Sequence, residues 1–151
     1  MKFNDSMMII EGGLHLTAID RQGNVLFEYD WKNLITDVGY RAAAEALANV
    51  TGAAITHIGM GTNSTTPANG DTAITNAVMV PVQSVEYPNT EFRSSMLINF
   101  SVDFLVAVGM NIYEWGTITG DGRLFSRLVR APIIKTNEMM LLGQWVINIK
   151  K

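Results

Sequence analysis

The sequence predicts a mainly β protein, an antiparallel β-sandwich or jelly-roll-like barrel of about eight strands with one short helix. Three observations point there. Apolar residues recur at every second position through most of the chain, as they do on one buried face of a sheet. Clusters of Gly, Asn and Asp break these stretches at strand-length intervals. Strands do not alternate regularly with helices, so a parallel sheet is disfavoured.

Leu14, Leu16 and Ala18 alternate with polar neighbours, Asp20-Arg21-Gln22-Gly23-Asn24 supplies turn chemistry, and Val25, Phe27, Tyr29 and Trp31 alternate again, which reads as a hairpin with one apolar face. Between Thr36 and Val50 the alanines favour helix, with Thr36 or Asp37 as the N-terminal cap and Gly52 as the C-terminal one. Ala43, Leu47 and Val50 fall on one helical face, which is expected to cover one end of the sheet core. Residues 55–60 form a short strand. Turn formers then dominate from Gly59 to Asp71, a long exposed loop. Residues 78–87 read as one strand in which Pro81 requires an edge, a strand start or a bulge.

Met96, Ile98, Phe100, Val102, Phe104 and Val106 alternate without interruption, and 111–119, 124–134 and 139–149 complete what reads as a β-meander. If the hairpin around Thr119-Gly120-Asp121-Gly122 turns on Gly120-Asp121, Glu114 lies directly opposite Arg127 in a structural ion pair. A turn centred on Asp121-Gly122 would instead put Val129 there. In the first register, exchanging Glu114 and Arg127 together restores much of what either reversal alone loses.

All 151 residues are assigned to one sandwich domain, since a chain of this length folds around a single core. A net charge of -3 offers no cationic field for nucleic acid or anionic lipid. With no cysteine, disulfides and thiolate metal sites are excluded. The apolar run before Glu11 is too short for a signal peptide, and none of the longer runs reaches the ~20 residues that cross a bilayer. Hydrophobic residues make up 48% of the chain and charged ones only 17%, against a usual ~25% charged. That balance suggests apolar surface covered by partners.

Motifs for chemistry are missing from the pattern. His15 and His57 have no nearby ligand partners in sequence and read as structural histidines. The Gly59-Met60-Gly61 run lacks the Gly-Lys-Ser/Thr ending of a phosphate loop, and no Lys or Arg falls between Arg41 and Arg93. Asp103, Glu114, Glu86 and Glu91 are the carboxylates that a glycosidase-like pair would draw on, but solvated strand faces or ion pairs account for them more simply. Trp31, Trp115 and Trp145 belong first to the core, as do most of the nine methionines. No enzyme activity, metal or cofactor is expected.

Lys32-Asn33-Leu34-Ile35-Thr36 before a small-residue helix, Ile58-Gly59-Met60-Gly61-Thr62, and Asp71-Thr72-Ala73-Ile74 occur in an order that resembles a diverse group of virion proteins of tailed bacteriophages. Ile112-Tyr113-Glu114-Trp115-Gly116, Leu124-Phe125-Ser126-Arg127 and Trp145-Val146-Ile147 resemble the closing strands of that pattern, so the similarity covers roughly residues 24–149. Ile74 stands where the group has Leu, and Met60 sits inside the glycine loop. The resemblance implies a capsid decoration or cement protein that stabilises the assembled head, with a tail-fibre, adaptor or receptor-binding component as the alternative. It further implies residence in the virion and contact with major capsid protein or other virion proteins, while the short N-terminal apolar run implies synthesis in the host cytoplasm. A homo-oligomer is expected, a trimer ahead of a dimer, and the candidate partner-contact loop is Met60, Asn63, Thr65, Thr66 and Asn69.

Overall fold

The computed structural model describes residues 9–88 and 94–150. Among them the chain forms, in order, β1 (Ile9–Ile19), β2 (Val25–Lys32), β3 (Leu34–Ile35), α1 (Asp37–Leu47), β4 (Ile55–Gly61), β5 (Val78–Pro81) and β6 (Ser84–Glu86). Then come β7 (Ser95–Val102), β8 (Asn111–Thr119), β9 (Leu124–Ile134) and β10 (Met140–Lys150). These make two five-stranded antiparallel sheets, β2-β1-β10-β7-β6 and β3-β9-β8-β4-β5, packed as a sandwich. Ten strands thus replace the expected eight or so. The additional pieces are short: β3 has two residues, and β6 has three.

The inner faces are those the alternation marked. Leu14, Leu16 and Ala18 of β1 meet Ile98, Phe100 and Val102 of β7 and Leu141, Trp145 and Ile147 of β10. All of these pack in one buried cluster with Ile58, Met60, Ile112, Trp115 and Leu128 of the second sheet. Gly143 faces this core because the Phe100 ring occupies the space where a side chain would stand.

Several connections differ from expectation. Residues 78–87 are two strands in different sheets: Pro81 ends β5 because it has no N–H to continue a ladder, and the chain crosses between sheets at residues 82 and 83. The alternation beyond Val102 does not prolong β7. Asp103 accepts from the Val106 N–H in a turn, and Ala107 adopts φ 56°, so Phe104 and Val106 lie in a loop. The final third is not a meander either. After the β8–β9 hairpin the chain leaves for the other sheet, where β10 inserts between β1 and β7.

The helix starts where Thr36 Oγ1 accepts the Gly39 N–H at 2.9 Å, and the same hydroxyl donates to the Leu124 carbonyl at 2.6 Å. One residue therefore caps α1 and ties it to β9. The buried face is Gly39 and Ala42, not the predicted Leu47 and Val50, which are exposed. Gly39 decides this: its α-carbon lies so close to the Phe125 carbonyl that any side chain would collide with it. Close backbone contact selects the smallest residues, whichever larger ones share a helical stripe.

At the opposite end, Lys135 is 1% exposed and donates from Nζ to the carbonyls of Asp103, Phe104 and Thr136 at 3.0, 3.1 and 2.9 Å. Burial pulls its pKa down, while the nearby Asp103 charge pushes the other way. The ammonium thereby joins the loop after β7 to the β9–β10 turn.

Arg123 holds α1 to the β8–β9 turn, bonding Glu45 at 2.8 Å and Asp121 at 2.9 Å. Glu45 lies below its ordinary 4.5 because of Arg41 first and Arg123 second. Asp121 lies below its ordinary 3.8 because of Arg123 and then the Thr119 hydroxyl. Depressed carboxylate pKa values contribute stability above the unfolded values that disappears as pH falls through the folded ones. Amide protection factors in α1 and residues 119–123, taken relative to the intrinsic exchange rate at each pH, should therefore fall as pH drops below about 4.5. Arg123→Met should show much less of that acid dependence; an unchanged pH profile would discount the link.

Candidate functional site

The outer face of the second sheet carries the densest polar cluster, and its origin is a bulge. β8 changes register between Ile112 and Glu114, so Ile112 and Trp115 both turn to the core while Glu114 turns outward. Gly61 lies opposite Glu114 on β4, and Gly116 lies opposite Gly59 on β4 and Arg127 on β9. Three glycines leave a hollow in this face. Ile74 fills it: added methyl groups at Gly116 and Gly59 would lie 2.9 and 3.3 Å from the Ile74 side chain, and one at Gly61 would overlap it. Ile74, Ile118 and Leu124 form a second small apolar cluster there.

Beside that plug, Glu114 and Arg127 are 0% and 2% exposed at their side chains. Arg127 Nε donates to Glu114 Oε2 at 2.7 Å, and Arg127 Nη1 donates to Asp71 Oδ2 at 2.8 Å. Glu114 Oε1 accepts the backbone N–H groups of Thr75 at 2.7 Å and Asn63 at 3.2 Å. Asp71 Oδ2 also accepts the Ala68 N–H at 2.9 Å. The ionic chain Glu114–Arg127–Asp71 thus binds both ends and the middle of the segment 62–77 to the sheet, and the Asp37 N–H donates to Asn69 at the helix start.

The hairpin register is the one centred on Asp121-Gly122: Val129 stands opposite Glu114, and Arg127 opposite Gly116. Direct opposition of Glu114 and Arg127 is therefore corrected. The ion pair forms regardless, because residues displaced by two along the partner strand share a face and long side chains span that diagonal. The same geometry argues against rescue by exchange. Glu114 Oε1 serves two amide N–H groups that an arginine, a donor only, could not satisfy.

The candidate contact loop divides. Met60 is fully buried in the core and cannot meet a partner. Asn63 is half-buried, its N–H on Glu114 and its Oδ1 accepting the Thr65 N–H at 2.9 Å. Thr65, Thr66 and Asn69 are exposed at the crest. The loop is therefore a pinned cover with a free ridge.

Other sequence candidates lie apart. Glu86 is on β6, where it accepts from Asn99 Nδ2 at 3.3 Å, Asp103 follows β7, and Glu91 lies outside the described residues. Glu114 is 0% exposed, with its oxygens taken by three protein donors, Asn63 N–H, Thr75 N–H and Arg127 Nε, and so does not face a substrate. His15 Nδ1 meets Asp30 at 2.8 Å, and His57 Nδ1 meets Thr56 Oγ1 at 2.9 Å. Trp115 and Trp145 are core residues, whereas Trp31 is half-buried. A shallow concavity of about 410 Å³ on the first sheet, around Gly12 and Gly13, is walled by Glu11, His15, Asp30, Lys32 and Asn148.

Sequence reasoning missed Asp71 as the second carboxylate of Arg127, although the Asp71-Thr72-Ala73-Ile74 motif contained it. It also missed Lys135, whose neighbours give no signal.

Arg127→Met leaves a buried carboxylate without its cation and should cost about 3–5 kcal/mol in denaturant unfolding. Adding Glu114→Leu should recover only part of that, since the Thr75 and Asn63 amides lose their acceptor. Complete recovery would show that those amides do not depend on Glu114. Compared with known proteins, the chain matches no family model, no curated protein and no solved structure.

Proposed function

We propose that this chain is a structural subunit of a tailed-bacteriophage virion, foremost a capsid decoration protein that binds and stabilises the assembled head. One observation carries the reading. The short motifs of the resemblance, scattered from Thr36 to Arg127 in sequence, meet in a single physical unit. Thr36 ties α1 to β9, and Gly61 and Gly116 make room for Ile74 and the Glu114 carboxylate. Asp71 and Glu114 share Arg127. That the members of the pattern support one another in space is what supports the reading.

The mechanism is thermodynamic. A subunit that binds only the assembled shell stabilises it by mass action, with no chemical step. A rigid sandwich suits that role, because little conformational entropy is lost when it docks. Apolar side chains left outside the core supply contact area: Leu105, Leu47, Tyr87 and Ile134 are each more than half exposed.

The second reading is a tail adaptor or receptor-binding component that uses the exposed ridge at Thr65, Thr66 and Asn69. Cryo-electron microscopy of particles carrying the protein separates the two: density over capsomer junctions is expected, and density confined to the tail would replace the first reading with the second. Particles lacking the protein should also release DNA at lower temperature than intact ones; equal resistance would end the cementing role.

A further inference from the structure

The four sheet edges are not alike. On the second sheet, β5 is four residues long and ends at Pro81, β3 has two residues, and the part of β9 that runs past β3 contains Pro132. On the first sheet β6 has three residues. Short strands and prolines are the usual protection against unwanted strand pairing. β2 has neither. It runs eight residues, contains no proline, and among the described residues pairs only with β1.

The direction of its free groups follows from the ladder. Asn33 N–H bonds to the Gly12 carbonyl, so in the antiparallel alternation Trp31, Tyr29 and Phe27 also turn their backbone groups toward β1. Those of Lys32, Asp30, Glu28 and Leu26 turn away. Arg130 Nη2, arriving from β9, bonds the Lys32 carbonyl at 3.2 Å, consistent with that outward direction. On the core-side face of the same strand Phe27, Tyr29 and Trp31 form a ladder of rings with centroids 5.2 and 4.8 Å apart, and Tyr29 is 42% exposed.

We propose that β2 is the seam of a two-fold dimer, pairing antiparallel with β2 of a second copy to join the two first sheets into one ten-stranded sheet. The occupant must be an extended strand, because outward N–H and C=O groups at alternate residues accept nothing else along their length. The charges favour a copy of this chain. When Asp30 lies on the two-fold axis, Glu28 stands opposite Lys32 of the partner subunit, and Lys32 opposite Glu28 of the partner subunit. Tyr29 then meets Trp31 of the partner subunit, and the ring ladder continues across the seam. The one like-charge contact, Asp30 with its counterpart, is flanked in each copy by His15 at 2.8 Å. A two-fold seam closes on itself, so the dimer takes the place of the trimer expected from sequence.

This inference rests on the proposal that the chain works by assembly, and it names the surface. Sedimentation equilibrium of the full chain should show a dimer. Lys32→Glu should weaken it about tenfold or more, and Glu28→Lys with Lys32→Glu should return it to near the original affinity. Glu28→Pro removes an outward N–H while sparing the β1 ladder, and should give a folded monomer with an unchanged circular dichroism spectrum. If that variant fails to fold, hydrogen exchange decides: the Glu28 and Asp30 amides of the unaltered protein should be protected at high concentration and exposed on dilution. A monomer at 0.1 mM and above (on the order of weak-interface affinities), a dimer indifferent to these substitutions, or fast exchange at both amides would overturn the seam. Particles that bind an unaltered protein shown to be monomeric would leave the virion role standing and remove only the dimer.

Discussion

The outer face of the second sheet depends on a buried charge that cannot be left alone. Glu114 is enclosed, and an isolated carboxylate in that position would cost several kcal/mol. Arg127 answers it, Asp71 answers the second side of Arg127, and two backbone amides occupy the remaining carboxylate oxygen. Satisfying that set requires the segment 62–77 to lie across the sheet. A loop rich in turn formers, which has little apolar surface of its own to bury, is placed by polar contacts and by the single plug Ile74. Arg127 Nη2 is the one donor of the set with no partner among the described residues.

Steric absence matters as much as charge here. Gly61 and Gly116 exist where the Glu114 carboxylate, Ile74 and Leu124 already fill the space beyond the α-carbon. Gly39 plays the same part between α1 and β9. Each glycine weakens its own strand or helix by roughly 0.5–1 kcal/mol. The layers they let approach offset that by burying side chains from elements far apart in sequence. Glycine spacing that resembles a phosphate loop is, in this protein, the footprint of packing.

The two ends and edges of the sandwich are treated differently. Lys135 closes one end by gathering three carbonyls, and Thr36 with Arg123 closes the other. Polar contacts thus fix the loops. Short strands and prolines finish three edges, while β2, beside a ladder of aromatic rings, has no strand on its outer side among the described residues and only Arg130 on its last outward carbonyl.

The sequence by itself determined which residues of the long strands β1, β7 and β10 face inward, where most strands begin and end, and that a helix follows Thr36. These are local properties: side-chain direction alternates with a period of two, and caps and turns are built from adjacent residues. It also made Glu114 and Arg127 partners, though through the wrong register, since opposite charges on one sheet face find each other across a diagonal as well as directly. Only the tertiary structure decided which strands share a sheet, that Met60 is core, that Leu47 is outside, and that Asp71 completes the ionic chain. Those outcomes turn on distances between segments remote along the chain: the Gly39 contact with Phe125, the bulge at Ile112 and the crossing at Pro81. Periodicity cannot encode such distances, because it records which face a residue is on and not what that face meets.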